Sequence, residues 1–192
     1  MKYREPSSIE LQSERLILKV LDQSYAPIVL DYVLRNRAFF QEWSPTTDPS
    51  VYTLEFQRER LRADRALIDE ERMLKLWLFK KDDHALQTVI GEVVIQNIVR
   101  GAFQSCHLGY KIDQQQLNQG LMTEALRCAL RYVFDELKLH RVEANIMPRN
   151  ARSRRVVEKL GFIDEGRSPK YLKINGVWEE HIHYVMLNAA VE

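Results

Sequence analysis

From about residue 119 onward, apolar side chains recur at positions 121, 122, 125, 126, 129, 130, 133, 134 and 137. That is the rhythm of a helix with one broad apolar face, wide enough to cover a sheet. The segment before it, LGYKID, reads as a strand, and a short polar loop ending in Gly120 joins the two. Strand, tight loop and helix N-terminus together make an anion site: exposed amides point outward and the helix dipole adds partial positive charge. Gly120 lets a ligand approach the backbone closely, and Thr123, beside Glu124 in the first turn, offers a further hydroxyl donor. An ordinary strand-to-helix connection without a ligand uses the same pieces.

The rest of the chain alternates strand and helix around this unit. Residues 14–20 alternate as a strand, with Leu16, Leu18 and Val20 on one side. Asp22 or Ser24 is placed to cap a helix towards Asn36, with Pro27 tolerated in its first turn. After the turn cluster TTDPS, Thr53 begins a charged helix that ends near Glu70. Residues 74–79 and 88–97 read as paired strands across the polar turn KDDH, and residues 104–112 as the strand before the loop. Residues 141–147 form the next strand, and residues 150–160 a helix stopped by Gly161. A last hairpin begins at Phe162 and turns at Asn175-Gly176, the signature of a type I′ turn. Residues 1–192 read as one domain, an α/β chain whose mixed sheet carries helices on both faces.

Composition narrows the function classes. At 192 residues and 45% apolar content, one domain buries a sizeable core. Residues 1–10 are short and polar and no apolar run reaches membrane-spanning length, so neither a signal peptide nor a membrane partner is expected. Lys plus Arg (28) nearly equals Asp plus Glu (27), which gives a broad nucleic-acid surface no support. Cys106 and Cys128 fit neither a disulfide framework nor a zinc set, and they read as free thiols in a reducing cytoplasm. His181 and His183 share a strand face without a third ligand at useful spacing, so no metal is expected.

The loop lacks GxxxxGK[ST] and GxGxxG, which argues against P-loop and dinucleotide folds. Its residues, Gln115-Gln116-Leu117-Asn118-Gln119-Gly120, resemble the [Q/R]-x-x-G-x-[G/A] pyrophosphate loop of the GNAT superfamily of acyl-CoA N-acetyltransferases. Asn118 stands where glycine is usual, and asparagine is among the residues that best tolerate positive φ. The resemblance runs on through NIVRGAFQSCHLGYKI, NQGLMTEAL, LHRVEANIMPRNARSRRVVEKLGFIDEG and KYLKINGVWEEHIHYVML. SERLILK and FFQEWSP extend it more loosely into the first half. Within the superfamily the chain is most similar to the ribosomal-protein-alanine N-acetyltransferases.

That resemblance implies a GNAT-like fold: a mixed, mainly antiparallel sheet splayed between the LGYKI and RVEANIM strands. It implies acetyl-CoA as cosubstrate, its pantetheine arm along Tyr110, Lys111 and Ile112. The pyrophosphate would lie on Gln115, Gln116, Leu117, Asn118, Gln119, Gly120, Leu121, Met122 and Thr123. Asn150 would meet the pantetheine arm as well as cap a helix, and Asn145 would face the cofactor. Ser153 matches the hydroxyl that protonates the departing thiolate in some relatives; a local backbone role near a helix start is the alternative. Glu165 matches a carboxylate that takes the amine proton; a solvated turn residue is the alternative. The basic run RNARSRR would meet CoA phosphates or line a solvated helix face. Phe39, Phe40 and Trp43 would border an acceptor groove closed by residues 170–178, or belong to the core.

A thioester is already activated, so acetyl transfer needs no covalent intermediate, and neither cysteine is expected to act as a nucleophile. The leading expectation is acetylation of a protein N-terminus, a ribosomal protein with a small first residue, by a monomer or homodimer. A polyamine, aminoglycoside or amino acid acceptor is the second reading, and a non-catalytic GNAT-fold binding module whose Asn118 loop no longer holds CoA the third. An α-amine titrates near ~8 and a lysine amine near ~10.4, which favours the first when only one carboxylate base is in view.

Overall fold

The computed structural model describes residues 9–191; residues 1–8 and 192, which carry most of the expected polar start, lie outside the described residues. A short strand β1 (Glu10–Gln12), which the sequence did not suggest, pairs with β2 (Leu16–Lys19). The Asp22 carboxylate accepts from the Ser24 amide at 2.7 Å, but it caps a 3-10 turn, Gln23–Tyr25. The helix α1 (Ala26–Arg35) follows with Pro27 in its first turn, where no amide partner is lost. A further short helix, α2 (Arg37–Gln41), carries the FF pair that sequence alone left between two helices. Thr53 caps α3 (Leu54–Asp69), its hydroxyl accepting from the Phe56 amide at 3.3 Å.

Strands β3 (Leu74–Lys80), β4 (Gly91–Val99) and β5 (Ser105–Ile112) then form a meander. The amphipathic helix α4 (Leu121–Asp135) crosses to β6 (Arg141–Ile146), and α5 (Ala151–Leu160) leads to the hairpin β7 (Ile163–Ile174) and β8 (Val177–Leu187). The eight strands are ordered β1-β2-β3-β4-β5-β6-β8-β7, and every neighbouring pair is antiparallel except β5 with β6. That single parallel pair is the one the α4 crossover forces, since parallel neighbours need a long return connection. Asn175 and Gly176 turn the last hairpin at φ 47° and 81°, both positive as a type I′ turn requires.

Side-chain alternation sends the strand residues to two separate cores. Leu16, Leu18, Leu76, Leu78, Val93 and Ile95 meet the stripe of α4, in which Leu121, Met122, Ala125, Leu126, Ala129, Leu130 and Val133 are buried. Trp77 and Phe79 face the other way, onto Val29 and Tyr32 of α1 and Leu61 of α3. Helices therefore cover both faces, as expected for a GNAT-like fold. The stripe outlasts its helix: α4 ends at Asp135, and Leu137 packs against the core from the connection beyond it. Gly161 ends α5 at φ 91°. Among the described residues no helix is long and apolar enough to cross a membrane.

Gly91 marks where β4 passes closest to its neighbours. A Cβ there would lie 2.6 Å from Leu78 Cδ1 and 2.7 Å from the Lys111 carbonyl oxygen, an overlap that one flexible side chain cannot relieve alone. Gly91→Ala should therefore destabilise the protein by ~1–3 kcal/mol through overpacking. Chemical denaturation should show a lower midpoint with an unchanged slope.

Candidate functional site

The ladder between β5 and β6 is three pairs long: Ser105 with Arg141, Cys106 with Val142 and His107 with Glu143. Beyond it the strands part. Tyr110, Lys111 and Ile112 continue along β5 without β6 beside them and line a cavity of about 290 Å³. The loop before α4, the first turn of α4 and one side of α5 form its other walls.

The loop takes the shape its residues suggested. Asp113 accepts from the Gln115 amide at 2.8 Å and starts the turn, Asn118 lies at φ 61° and Gly120 at φ 77°. Asn118 thus occupies the left-handed region that asparagine tolerates in place of glycine. Gln116, Leu117, Asn118, Gly120, Leu121, Met122 and Thr123 line the cavity, and the Gln116 Oε1 atom is buried without a partner. Gln115 and Gln119, two of the expected contacts, do not line it. The Gln119 side chain donates to the Gln115 carbonyl at 3.2 Å, so the pair shapes the loop from behind.

A residue far back in sequence fixes the loop. Arg15 Nε and backbone amide each donate to the Glu124 carboxylate at 2.7 Å, and Arg15 Nη1 donates to the Gln119 carbonyl at 3.0 Å. Ser13 adds a third bond to Glu124 at 2.7 Å. Glu124 was expected only as a first-turn acid; SERLILK carries its partners, with no local signal that they meet.

On the opposite wall, Asn150 caps α5 by accepting from the Ser153 amide at 3.2 Å, and both residues line the cavity. The Ser153 hydroxyl donates to Tyr110 Oη at 2.7 Å, while Tyr110 donates to the Ser153 carbonyl at 2.9 Å. Burial pushes the Tyr110 phenol above its ordinary value, so it stays protonated. Arg152, Arg155 and Lys159 share the cavity side of α5 and have no ion pair among the described residues. Arg149 and Arg154 of the same basic run are occupied, by Glu42 and Glu179 and by Glu158 respectively.

Two expected residues lie elsewhere. Asn145 donates to Tyr171 Oη at 3.0 Å on the opposite face of β6 from the buried Ala144 and Ile146, and it does not reach the cavity. Glu165, on β7 near the level of Ala144 and Asn145, reaches across β8 to Arg141, which binds it at 2.6 and 3.0 Å. Glu165 lines neither cavity; its carboxylate is drawn to Arg141, which pairs with Ser105 at the closed end of the β5–β6 ladder. That guanidinium holds its carboxyl below the ordinary range, which makes it a poorer proton acceptor. The register of the last hairpin, irregular between Asp164 and Arg167, decides this placement and leaves no local signal.

A second cavity, of about 300 Å³, meets the first at Phe40, Ser44 and Lys111. It lies between α2, α3 and the tip of the last hairpin, where Asn175 donates to the Gln41 carbonyl at 2.5 Å. Phe39, Phe40 and Trp43 are only part-buried and line the first cavity. Desolvation lowers the pKa of Lys111, and Glu92 across the β4–β5 ladder opposes that shift. The two histidines flagged by sequence have ordinary partners: His183 meets Ser168 and Glu143, and His181 meets the Glu179 carbonyl. Cys106 is buried in the core, its thiol pushed up to about 12 by desolvation, and is no nucleophile.

Residues 15–163 match a family described as an acetyltransferase (GNAT) domain. The chain is 39% identical to a probable N-acetyltransferase, YjcK, of Bacillus subtilis, over 93% of this chain and 97% of that protein. It is 34% identical to the [ribosomal protein uS5]-alanine N-acetyltransferase of Escherichia coli, over 91% and 88% respectively. The solved structure of a ribosomal-protein-S5-alanine acetyltransferase from Vibrio fischeri superposes with a TM-score of 0.90 at 30% identity. It covers 96% of this chain and all of that one, 100%.

The Arg15–Glu124 clamp yields a pH test. Burial opposes ionisation of Glu124, but the bonds from Arg15 and Ser13 prevail and hold its carboxyl below the ordinary range. A lowered folded-state pKa contributes stability above the unfolded value, near ~4.3, that is lost as pH falls through the folded value. Glu124→Gln should cost ~1–2 kcal/mol at pH 7, the half-exposed Arg15 limiting the gain. Urea melts of both proteins should converge as pH drops below ~4.

Proposed function

The chain belongs to the GNAT acetyltransferase family, and from that premise we propose that it transfers acetyl from acetyl-CoA to the N-terminal α-amine of a protein, with a ribosomal protein as acceptor. One observation carries the reading. The anion-binding loop and the Ser153–Tyr110 pair face one cavity, and that cavity meets a second one at Phe40, Ser44 and Lys111. A donor bound in the first thus presents its reacting end towards an acceptor in the second.

The amides around Asn118, Gly120, Leu121 and Thr123 would take the pyrophosphate, with Arg152, Arg155 and Lys159 supplying cations for the CoA phosphates. The pantetheine arm would use the strand edge that β5 offers beyond His107. The amine nitrogen attacks the thioester carbon, the C–N bond forms, the C–S bond breaks, and the nitrogen's surplus proton ends on the thiol. Ser153 would donate to the departing sulfur once its hydroxyl turns from Tyr110 Oη, to which it donates at 2.7 Å. A ribosomal-protein acceptor puts the reaction in the cytoplasm.

Neither cavity offers a free carboxylate base. Glu165 lies outside both, and Glu92 in the second is held by Lys75 at 3.2 Å and Arg60 at 3.4 Å. Burial opposes ionisation of Glu92, yet these charges win and bring it down to about 2. An enzyme so equipped is suited to an amine that is neutral of its own accord. An α-amine near ~8 fits, whereas a lysine amine near ~10.4 needs a base.

The test is an acceptor screen with acetyl-CoA, setting N-terminal peptides against polyamines and lysine side chains, with mass spectrometry to locate the acetyl group. Peptide kcat/KM should rise with pH through the acceptor's own pKa near ~8, and Glu165→Gln should leave that profile in place. Acetyl on polyamines alone would overturn the acceptor class. Ser153→Ala should lower the single-turnover rate by ~10²-fold with acetyl-CoA affinity near normal. Gly120→Val, strained at φ 77°, should weaken acetyl-CoA binding by at least ~100-fold in calorimetry.

A further inference from the structure

The second cavity carries charge that the chain itself does not balance. Behind its wall, Lys75 lies 3.2 Å from both Asp64 and Glu92, and Arg60 lies 3.4 Å from Glu92 and 3.9 Å from Asp64. Two cations and two carboxylates close on one another there, a neutral cluster. Arg37 and Lys111 remain. Arg37 stands over the Tyr52 ring at 4.3 Å and Lys111 over the Phe40 ring at 5.3 Å, and neither has an acidic partner within 4.0 Å among the described residues. Tyr32 and Ser44 line the same cavity, each with a buried hydroxyl that lacks a hydrogen-bond partner.

Aromatic faces hold both cations in place without spending their charge. A neutral, apolar acceptor segment seated here would strip water from Arg37 and Lys111 and return nothing. A cationic one would be repelled. A carboxylate would give both cations an ionic partner, and the hydroxyls would add donors at little cost. Lys111 lines both cavities, so the group it recognises lies close behind the reacting amine.

We propose that this cavity selects acceptors carrying an acidic side chain just behind the N-terminus, with Arg37 and Lys111 as its specificity-determining residues. The inference rests on the N-terminal reading above and adds the chemistry of the acceptor's second or third residue.

The experiment uses the full chain, acetyl-CoA and short peptides that share an alanine first residue and differ at positions two and three, carrying Glu, Gln or Lys. The Glu peptide should exceed the Gln peptide by at least ~10-fold in kcat/KM, mostly through KM, with the Lys peptide poorest. Arg37 is exposed on α2, so its variants should fold, which circular dichroism would check. Arg37→Gln should shrink the Glu-to-Gln ratio several-fold, and Arg37→Glu should move the preference towards the Lys peptide. Equal kcat/KM across the three peptides, with α-amines still acetylated, would overturn this inference and leave the N-terminal reading standing. Acetylation of polyamines with every peptide α-amine untouched would overturn both.

Discussion

Strands β5 and β6 pair for only three residues, and nearly everything functional in the molecule follows from where they stop. A parallel pair needs a crossover, and here that crossover is α4, which leaves from the end of β5. The next helix, α5, leaves from the end of β6. Once the strands diverge, both helix N-termini face the gap, bringing the Asn118–Gly120 loop and the Asn150–Ser153 turn to opposite walls of one cavity. Had the ladder continued to Ile112, the backbone edge of β5 would be consumed by β6. Tyr110 spans the opening and ties it to α5 through two hydrogen bonds with Ser153. The gap is therefore braced on one side while its other side stays open.

Electrostatics divide the two cavities between partners of different kinds. The first collects outward-facing amides, a helix N-terminus and three cations on α5, an environment for a polyanion. In the second, Arg60 pairs with Glu92, while Arg37 and Lys111 have no acidic partner within 4.0 Å among the described residues. Among the described residues the only carboxylate that lines either cavity is Glu92, and its neighbours keep it ionised and occupied. On the proposed reading, proton removal from the acceptor falls to its own acidity or to water, a demand that an α-ammonium meets and a lysine ammonium resists.

The elements legible in the sequence were those fixed by short-range rules. Asn118 at positive φ, Asn150 as a cap, Thr53 as a cap, the Asn175-Gly176 turn and the stripe of α4 each depend on a few adjacent residues. What escaped was set by contacts between distant segments. Arg15 meets Glu124 across 109 positions, and nothing in SERLILK alone points to it. Gly91 reads as a neutral strand residue until Leu78 and Lys111 are seen to crowd it. Strand alternation puts Asn145 on the opposite face from Ala144 and Ile146; which of those faces looks onto the cavity is a tertiary fact.

Glu165 shows how a correct motif misleads about chemistry. The sequence GFIDEG lies where the family resemblance puts it, directly after α5 and its Gly161 stop. Yet a strand delivers its side chains according to register, and one irregular step between Asp164 and Arg167 redirects everything in it. Here the Glu165 carboxylate turns across β8 to Arg141, whose guanidinium holds it below the ordinary range. On the proposed N-terminal reading, the acceptor's own pKa then becomes the variable that decides which amines react. The acceptor class is therefore read from what the cavities lack as much as from what they hold.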